Sequence, residues 1–143
     1  MVKLTRIQHE GLPVRDVERS RRFYEEVIGL RLIPRPPLGG GVWMADASGV
    51  PQIHIIECPE EVGELPAKPN PRARHTAFVV EDYEGLKRRF QEHGVVWSEI
   101  PDSPVGTAQL FCLDPDGHTL EFQSAEFWGD RTWLRGYEPA DAR

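Results

Sequence analysis

Duplication governs what this chain can fold into. The segment IQHEGLPVRD near the amino terminus returns as RHTAFVVED at residues 74–82, each a short strand with a histidine near its start and an acid at its end. His9 and His75 are 66 positions apart (75 − 9). Phe23, Gly29 and His54 follow His9 at offsets of 14, 20 and 45, while Phe90, Gly94 and Glu121 follow His75 at 15, 19 and 46. That period is too long for a solenoid repeat and fits two small modules fused in one chain. A module of this size is marginal alone, so the two are expected to share a packed interface. The 143 residues match one ordinary domain, and 39% hydrophobic residues can supply a core.

Each half reads as strand, helix, three strands. In the first, a strand from Leu4 to Val14 ends at Asp16, which caps a helix carrying Val17, Phe23, Tyr24, Val27 and Ile28 on one side, and Gly29 stops it. Extended pieces follow at Leu30 to Pro34, Val42 to Ala47 and Gln52 to Glu57. The stretch Cys58 to Arg72, with Pro59, Pro66, Pro69 and Pro71, is a stiff connector. The order then repeats as strand His75 to Val80, helix Tyr83 to His93, a stop at Gly94, and strands Val95 to Glu99, Thr107 to Leu113 and Thr119 to Gln123. This divides the chain into module one at 3–58, a linker at 59–73, module two at 74–124 and a tail at 125–143, all within a single domain.

Period-two alternation assigns faces. Thr76, Phe78 and Val80 point one way and His75, Ala77 and Val79 the other. Leu120 and Phe122 separate from Thr119, Glu121 and Gln123, as Ile53 and Ile55 do from His54. Each helix covers the more apolar face, which leaves His54, His75 and Glu121 on the open, concave one.

These residues carry a resemblance. His9 in IQHEGL, FYEEVIGL at 23–30, IHIIE at 53–57, RHTAFVVED at 74–82 and DPDGHTLEF at 114–122 resemble the vicinal oxygen chelate superfamily of glyoxalases, bleomycin resistance proteins and dioxygenases. The likeness covers about residues 4–123, and the FY-x4-GL and DPDG-x-x-LE signatures are specific for fold and much less so for reaction. It implies an α+β fold in which two tandem βαβββ modules form a cupped mixed sheet. It also implies a divalent metal held by His9, His54, His75 and Glu121, with Zn, Ni, Co, Mn or Fe(II) suited to those ligands. At the position of His54 the glyoxalase I and epimerase branches carry Glu or Gln, and Glu57 competes for the role. Its offset of 48 (57 − 9) and its parity with Ile53 and Ile55 favour His54. Three imidazoles and one carboxylate leave a divalent site about one charge unit positive, suited to an anionic, chelating substrate.

The implied function is a metal-dependent glyoxalase or dioxygenase-like enzyme, a lyase, isomerase or ring-cleaving oxygenase. Its small-molecule substrate binds through adjacent oxygens, with Glu121 as proton acceptor. The alternative is a metal-free sequestering protein of the bleomycin-resistance kind. The resemblance further implies a homodimer. A net charge of −6 with scattered basic residues argues against nucleic-acid and anionic-membrane partners. No apolar run approaches the ~20 residues of a membrane span, and the cysteines Cys58 and Cys112 read as buried free thiols, so a cytoplasmic location is expected. Trp43, Trp97 and Gln109 fall near the cavity by strand placement, but an aromatic in a strand is more often core than substrate shelf, so they are not assigned to the pocket. His93 is assigned to the helix end and His118 to a solvent-facing turn, and Glu10 reads as a bulge, an edge or a partner of His9. Phe127, Trp128, Trp133, Leu134 and Tyr137 in the tail are expected to pack against something rather than stay in water.

Overall fold

The computed structural model describes residues 1–126, so the aromatic tail lies outside the described residues. Strands β1 (Glu10–Val14), β2 (Arg31–Ile33), β3 (Gly41–Ala45) and β4 (Pro51–Glu57) form one four-stranded sheet in the order β1-β4-β3-β2. Strands β5 (His75–Val80), β6 (Trp97–Ile100), β7 (Gln109–Leu113) and β8 (Thr119–Ser124) form a second in the order β5-β8-β7-β6. In each sheet the first strand runs parallel to the fourth and the remaining pairs are antiparallel, so the pairing is duplicated as well as the sequence. The fold is the expected α+β pair of cupped mixed sheets.

Helix α1 (Val17–Arg22) runs on without a break into a wider π-helical stretch, Phe23–Ile28, and α2 (Tyr83–Glu92) is its counterpart. Both start on an aspartate whose carboxylate takes up an orphan backbone N–H: Asp16 accepts from Arg19 N at 2.9 Å and Asp82 from Gly85 N at 2.8 Å. Both end on a glycine at positive φ, Gly29 at 90° and Gly94 at 61°, where a side chain would be strained.

The helix-facing sides of both sheets meet in one core. Leu12, Val14, Tyr24, Met44, Ile53 and Ile55 belong to the same buried cluster as Leu86, Phe90, Leu110, Cys112, Leu120 and Phe122. The two signature motifs touch there, since Tyr24 of FYEEVIGL donates its hydroxyl to Asp114 of the DPDG turn at 2.8 Å. Asp116, two residues on, accepts from Arg19 Nη2 at 2.7 Å, Ser20 Oγ at 3.1 Å and Arg15 N at 3.2 Å. Buried carboxylates need partners of this kind, so the turn of one module is latched onto the helix of the other.

Several boundaries and roles differ from expectation. The first strand is Glu10–Val14 rather than Leu4 to Val14, because its one neighbour among the described residues, β4, begins at Pro51 after the Asp46 turn and the ladder starts at the Glu10↔Ile53 pair. Residues 1–9 therefore pair with no strand among the described residues and are exposed. Cys112 is buried as expected, but Cys58 is only half-buried, its thiol 3.3 Å from Glu60 Oε1. His118 is not a free turn residue, since its Nε2 lies 2.6 Å from Pro13 O and closes the turn onto β1. Trp97 packs beside Phe90 on the core side, as read. His93 forms the carboxyl-terminal cap of α2. Among the described residues no helix is long and apolar enough to cross a membrane.

Candidate functional site

The proposed site is built from the sheet faces that turn away from the shared core. On β4, Ile53 and Ile55 are buried in the core, which turns His54 outward, and the Gly11↔His54 pairing brings β1 alongside it. His9 precedes β1 by one residue and shares the parity of Gly11. Its ring lies 5.8 Å from that of His54, edge to face. Trp43, opposite His54 on β3, completes the group with ring centroids 5.8 Å from His54 and 6.4 Å from His9. The Nε2 of His54 is buried and has no hydrogen-bond partner. Burial, followed by the charges of Arg35 and His9, lowers the pKa of His54 and favours its neutral form, the one that can bind a metal.

The second sheet repeats this arrangement at the equivalent corner. Phe78 and Val80 pack on the core while His75, Ala77 and Val79 are exposed, as alternation required. Glu121, on β8 opposite Ala77, is buried, and its Oε2 lies 2.7 Å from His75 Nε2. Its Oε1 accepts from Gln109 Nε2 at 2.6 Å and Gln123 Nε2 at 2.8 Å. Ser103 Oγ, 2.5 Å from Gln109 Oε1, fixes which way that amide faces. On the far side of the imidazole, His75 Nδ1 lies 2.7 Å from Ala73 O, an atom that can only accept. The Nδ1 must therefore carry a proton, which orients Nε2 toward Glu121 as a metal-ligating histidine is oriented.

The four expected ligands thus fall into two pairs, His9 with His54 and His75 with Glu121. Among the described residues of one chain, no group of three or more histidine, cysteine, aspartate or glutamate side chains could hold a metal ion. The pairs lie on sheet faces turned away from the common core, so a single copy does not unite them. The donor types nevertheless fit a divalent ion: imidazole nitrogens, one of them unpartnered, and a carboxylate held by amide donors. Glu57 is exposed at the end of β4 and keeps the parity of Ile53 and Ile55, which leaves His54 the better candidate. Glu10 forms an ion pair with Arg74 at 2.7 Å, joining β1 to the residue before His75. Beside that pair, between the edge strands β1 and β5, lies a cavity of about 530 Å³ that touches His75 from behind and reaches neither His54 nor Glu121.

Gln109 and Trp43 stand beside the candidate ligands, near the cavity as strand placement suggests rather than in the core packing expected of them. Their strand parity, the same as that of Glu121 and His54 across the ladders, was the available signal.

The family model described as the Glyoxalase/Bleomycin resistance protein/Dioxygenase superfamily matches residues 6–122. The chain belongs to this superfamily.

Among its relatives, Glyoxylase I 4 of Arabidopsis thaliana is 32% identical over 124 residues, covering 82% of this chain and 70% of that protein. The glutathione transferase FosA of Serratia marcescens is 30% identical over 121 residues, covering 82% and 79%. A crystal structure of a glyoxalase/dioxygenase from Nostoc punctiforme superposes with a TM-score of 0.65 at 21% identity, covering 83% of this chain and 90% of that one, and supports the fold alone. The glyoxalase superfamily includes lyases and dioxygenases acting on small molecules, which sets the general class for this member.

Proposed function

We propose that this protein is a divalent-metal-dependent enzyme of the glyoxalase and dioxygenase kind, acting in the cytoplasm on a small substrate that chelates the metal through adjacent oxygens. His9 and His54 of one copy and His75 and Glu121 of its partner would form each ligand set. In a two-fold homodimer the same contact occurs twice, so two whole sites arise from four half-sites. The observation that carries this reading is the pair of incomplete corners: an imidazole with a buried, unpartnered Nε2 on one sheet, and a buried carboxylate held by two glutamines beside an oriented imidazole on the other. Zn, Ni, Co, Mn and Fe(II) all suit the donors.

When bound, such an ion supplies Lewis acidity and open positions for two substrate oxygens. The residues supply the rest. Gln109 and Gln123 hold Glu121 in place, and Glu121, the one carboxylate of the four, takes the substrate proton. Elemental analysis of protein purified without chelator, followed by a screen of hemithioacetals of 2-oxoaldehydes, catechols and fosfomycin, tests the proposal. Bound metal with turnover of one class, abolished in Glu121→Gln while the fold is kept, is the expected result. Full turnover in metal-loaded Glu121→Gln would remove the proton-transfer role.

One observation favours the second reading, a metal-free binder that sequesters its ligand. His75 Nε2 and Glu121 Oε2 lie 2.7 Å apart, and a proton on Nε2 joins them while leaving that nitrogen no lone pair for a metal. Protein that contains no metal and takes up none of the five ions would establish that alternative.

A further inference from the structure

A line of hydrogen bonds reaches Glu121 from outside the repeated motifs, starting at Ser103 in the connection between β6 and β7. Ser103 is buried, with its Oγ 2.5 Å from Gln109 Oε1, and Gln109 Nε2 in turn donates to Glu121 Oε1 at 2.6 Å. Gln123, directly opposite Gln109 across the β7–β8 ladder, donates its Nε2 to the same oxygen at 2.8 Å. Both amides converge on Oε1, and Oε2 is the oxygen that faces His75.

The direction of each bond follows from its two ends. A turned Gln109 amide would set its oxygen against a carboxylate oxygen, two acceptors with no proton between them, so Nε2 must face Glu121 and Oε1 must face Ser103. The hydroxyl proton of Ser103 is therefore committed to that amide oxygen. The loop holds the serine in register: Gly106 N donates to Ser103 O at 2.9 Å, with Gly106 at a φ of 85° closing the turn, and the buried Thr107 donates its hydroxyl to Ser124 O at 2.9 Å. Ser124 ends β8, the strand that carries Glu121 and Gln123, so serine and carboxylate are fixed to one frame.

We propose that Ser103 is a positioning residue for Glu121, acting through Gln109: it pins the Gln109 amide on Oε1, so that the carboxylate offers a single oxygen, Oε2, to an ion bound beside His75. This role rests on Glu121 being a ligand, as proposed. A carboxylate that binds through one oxygen takes up one position on a metal ion rather than two, which leaves room for a substrate that binds through adjacent oxygens. Without the hydroxyl, Gln109 Oε1 becomes a buried acceptor lacking its donor, and the amide is no longer pinned.

The first measurement uses the whole chain free of metal, so that a failure to bind metal is told apart from a failure of this role. In protein labelled with ¹³C at the glutamate carboxyl groups, the Glu121 signal is identified by its loss in Glu121→Gln. Ser103→Ala should shift that signal, Ser103→Thr should return it toward its original position, and Ser103→Ala should add nothing in a Gln109→Leu background. Ser103→Cys, close in shape and a much weaker donor, should shift it in the same direction even if Ser103→Ala is poorly folded. Competition with a chelating dye should then show affinity for zinc falling about three-fold or more in Ser103→Ala and returning in Ser103→Thr. A Glu121 signal unmoved by Ser103→Ala and Ser103→Cys, a shift that persists in full without Gln109, or zinc bound equally well by Ser103→Ala would overturn the proposal. Protein that shows the expected shifts yet takes up none of the five ions would keep Ser103 in this role and remove the metal reading instead.

Discussion

The two corners occupy equivalent positions in equivalent sheets, yet they solve the electrostatics of a buried polar cluster in opposite ways. At the corner of β5 and β8 the charge is compensated internally: Glu121 is met by His75 and by the amides of Gln109 and Gln123, and His75 and Gln109 are themselves held by Ala73 O and Ser103. At the corner of β1 and β4 two imidazoles stand near an arginine, with buried polar atoms that have no hydrogen-bond partner among the described residues. Duplication copied the scaffold and left the chemistry free to diverge. One half has its carboxylate paired before anything binds, and the other leaves buried polar atoms unpartnered among the described residues.

Substitutions can break this contrast or sharpen it. The largest effect is expected at Glu121, where Glu121→Gln removes the only carboxylate ligand and should weaken metal affinity by about 100-fold or more, measured by competition with a chelating dye. His9→Ala, at the exposed end of the unprepared half, should cost less than His75→Ala by the same measurement. Equal losses would mean that the two halves are alike after all.

The latch between modules serves both halves. Asp116→Ala strands Ser20 and two partly exposed arginines and should lower stability by about 2 kcal/mol in urea unfolding, with no preference for either corner. Gln109→Leu touches only the prepared half. It should reduce metal affinity by about ten-fold, as loss of a group that orients a ligand does.

The smallest effect concerns pH and Asp114. Burial raises its pKa above the ordinary carboxylate value, against the opposing pull of His118, Tyr24 and the turn's backbone N–H groups. An acid whose pKa is raised on folding contributes stability below its unfolded pKa, and that contribution is lost as pH rises through the folded one. Stability should therefore decline gently as pH rises from about 4 across this window, and Asp114→Asn should flatten the slope.

Most of the scaffold was legible because duplication states each element twice. Gly29 and Gly94, Asp16 and Asp82, and the alternation around His75 all carry local signals that tertiary packing did not override. The start of β1 was not legible, because an apolar run such as Leu4 and Ile7 looks the same whether or not a neighbouring strand exists to pair with it. Cys58 and His118 were misjudged because burial depends on what the connector and the DPDG turn pack against. Gln109 and Trp43 were on the right face by parity, but parity does not reveal that one amide would be fixed by Ser103 or that one indole would lack an acceptor. The pairing of the four ligand candidates into two separate corners depends on how the modules meet, which short-range pattern does not encode.

Complementation of metal binding tests most directly whether one site draws on two copies. A variant lacking His9 and His54 is mixed with one lacking His75 and Glu121, the mixture is unfolded and refolded together, and its metal content is compared with that of the unmodified protein. Sites shared between copies predict recovery of about a quarter of the normal content, since random reassortment makes half the dimers mixed and each mixed dimer carries one intact site. Each variant alone should bind none. A mixture as empty as its two components would contradict the account.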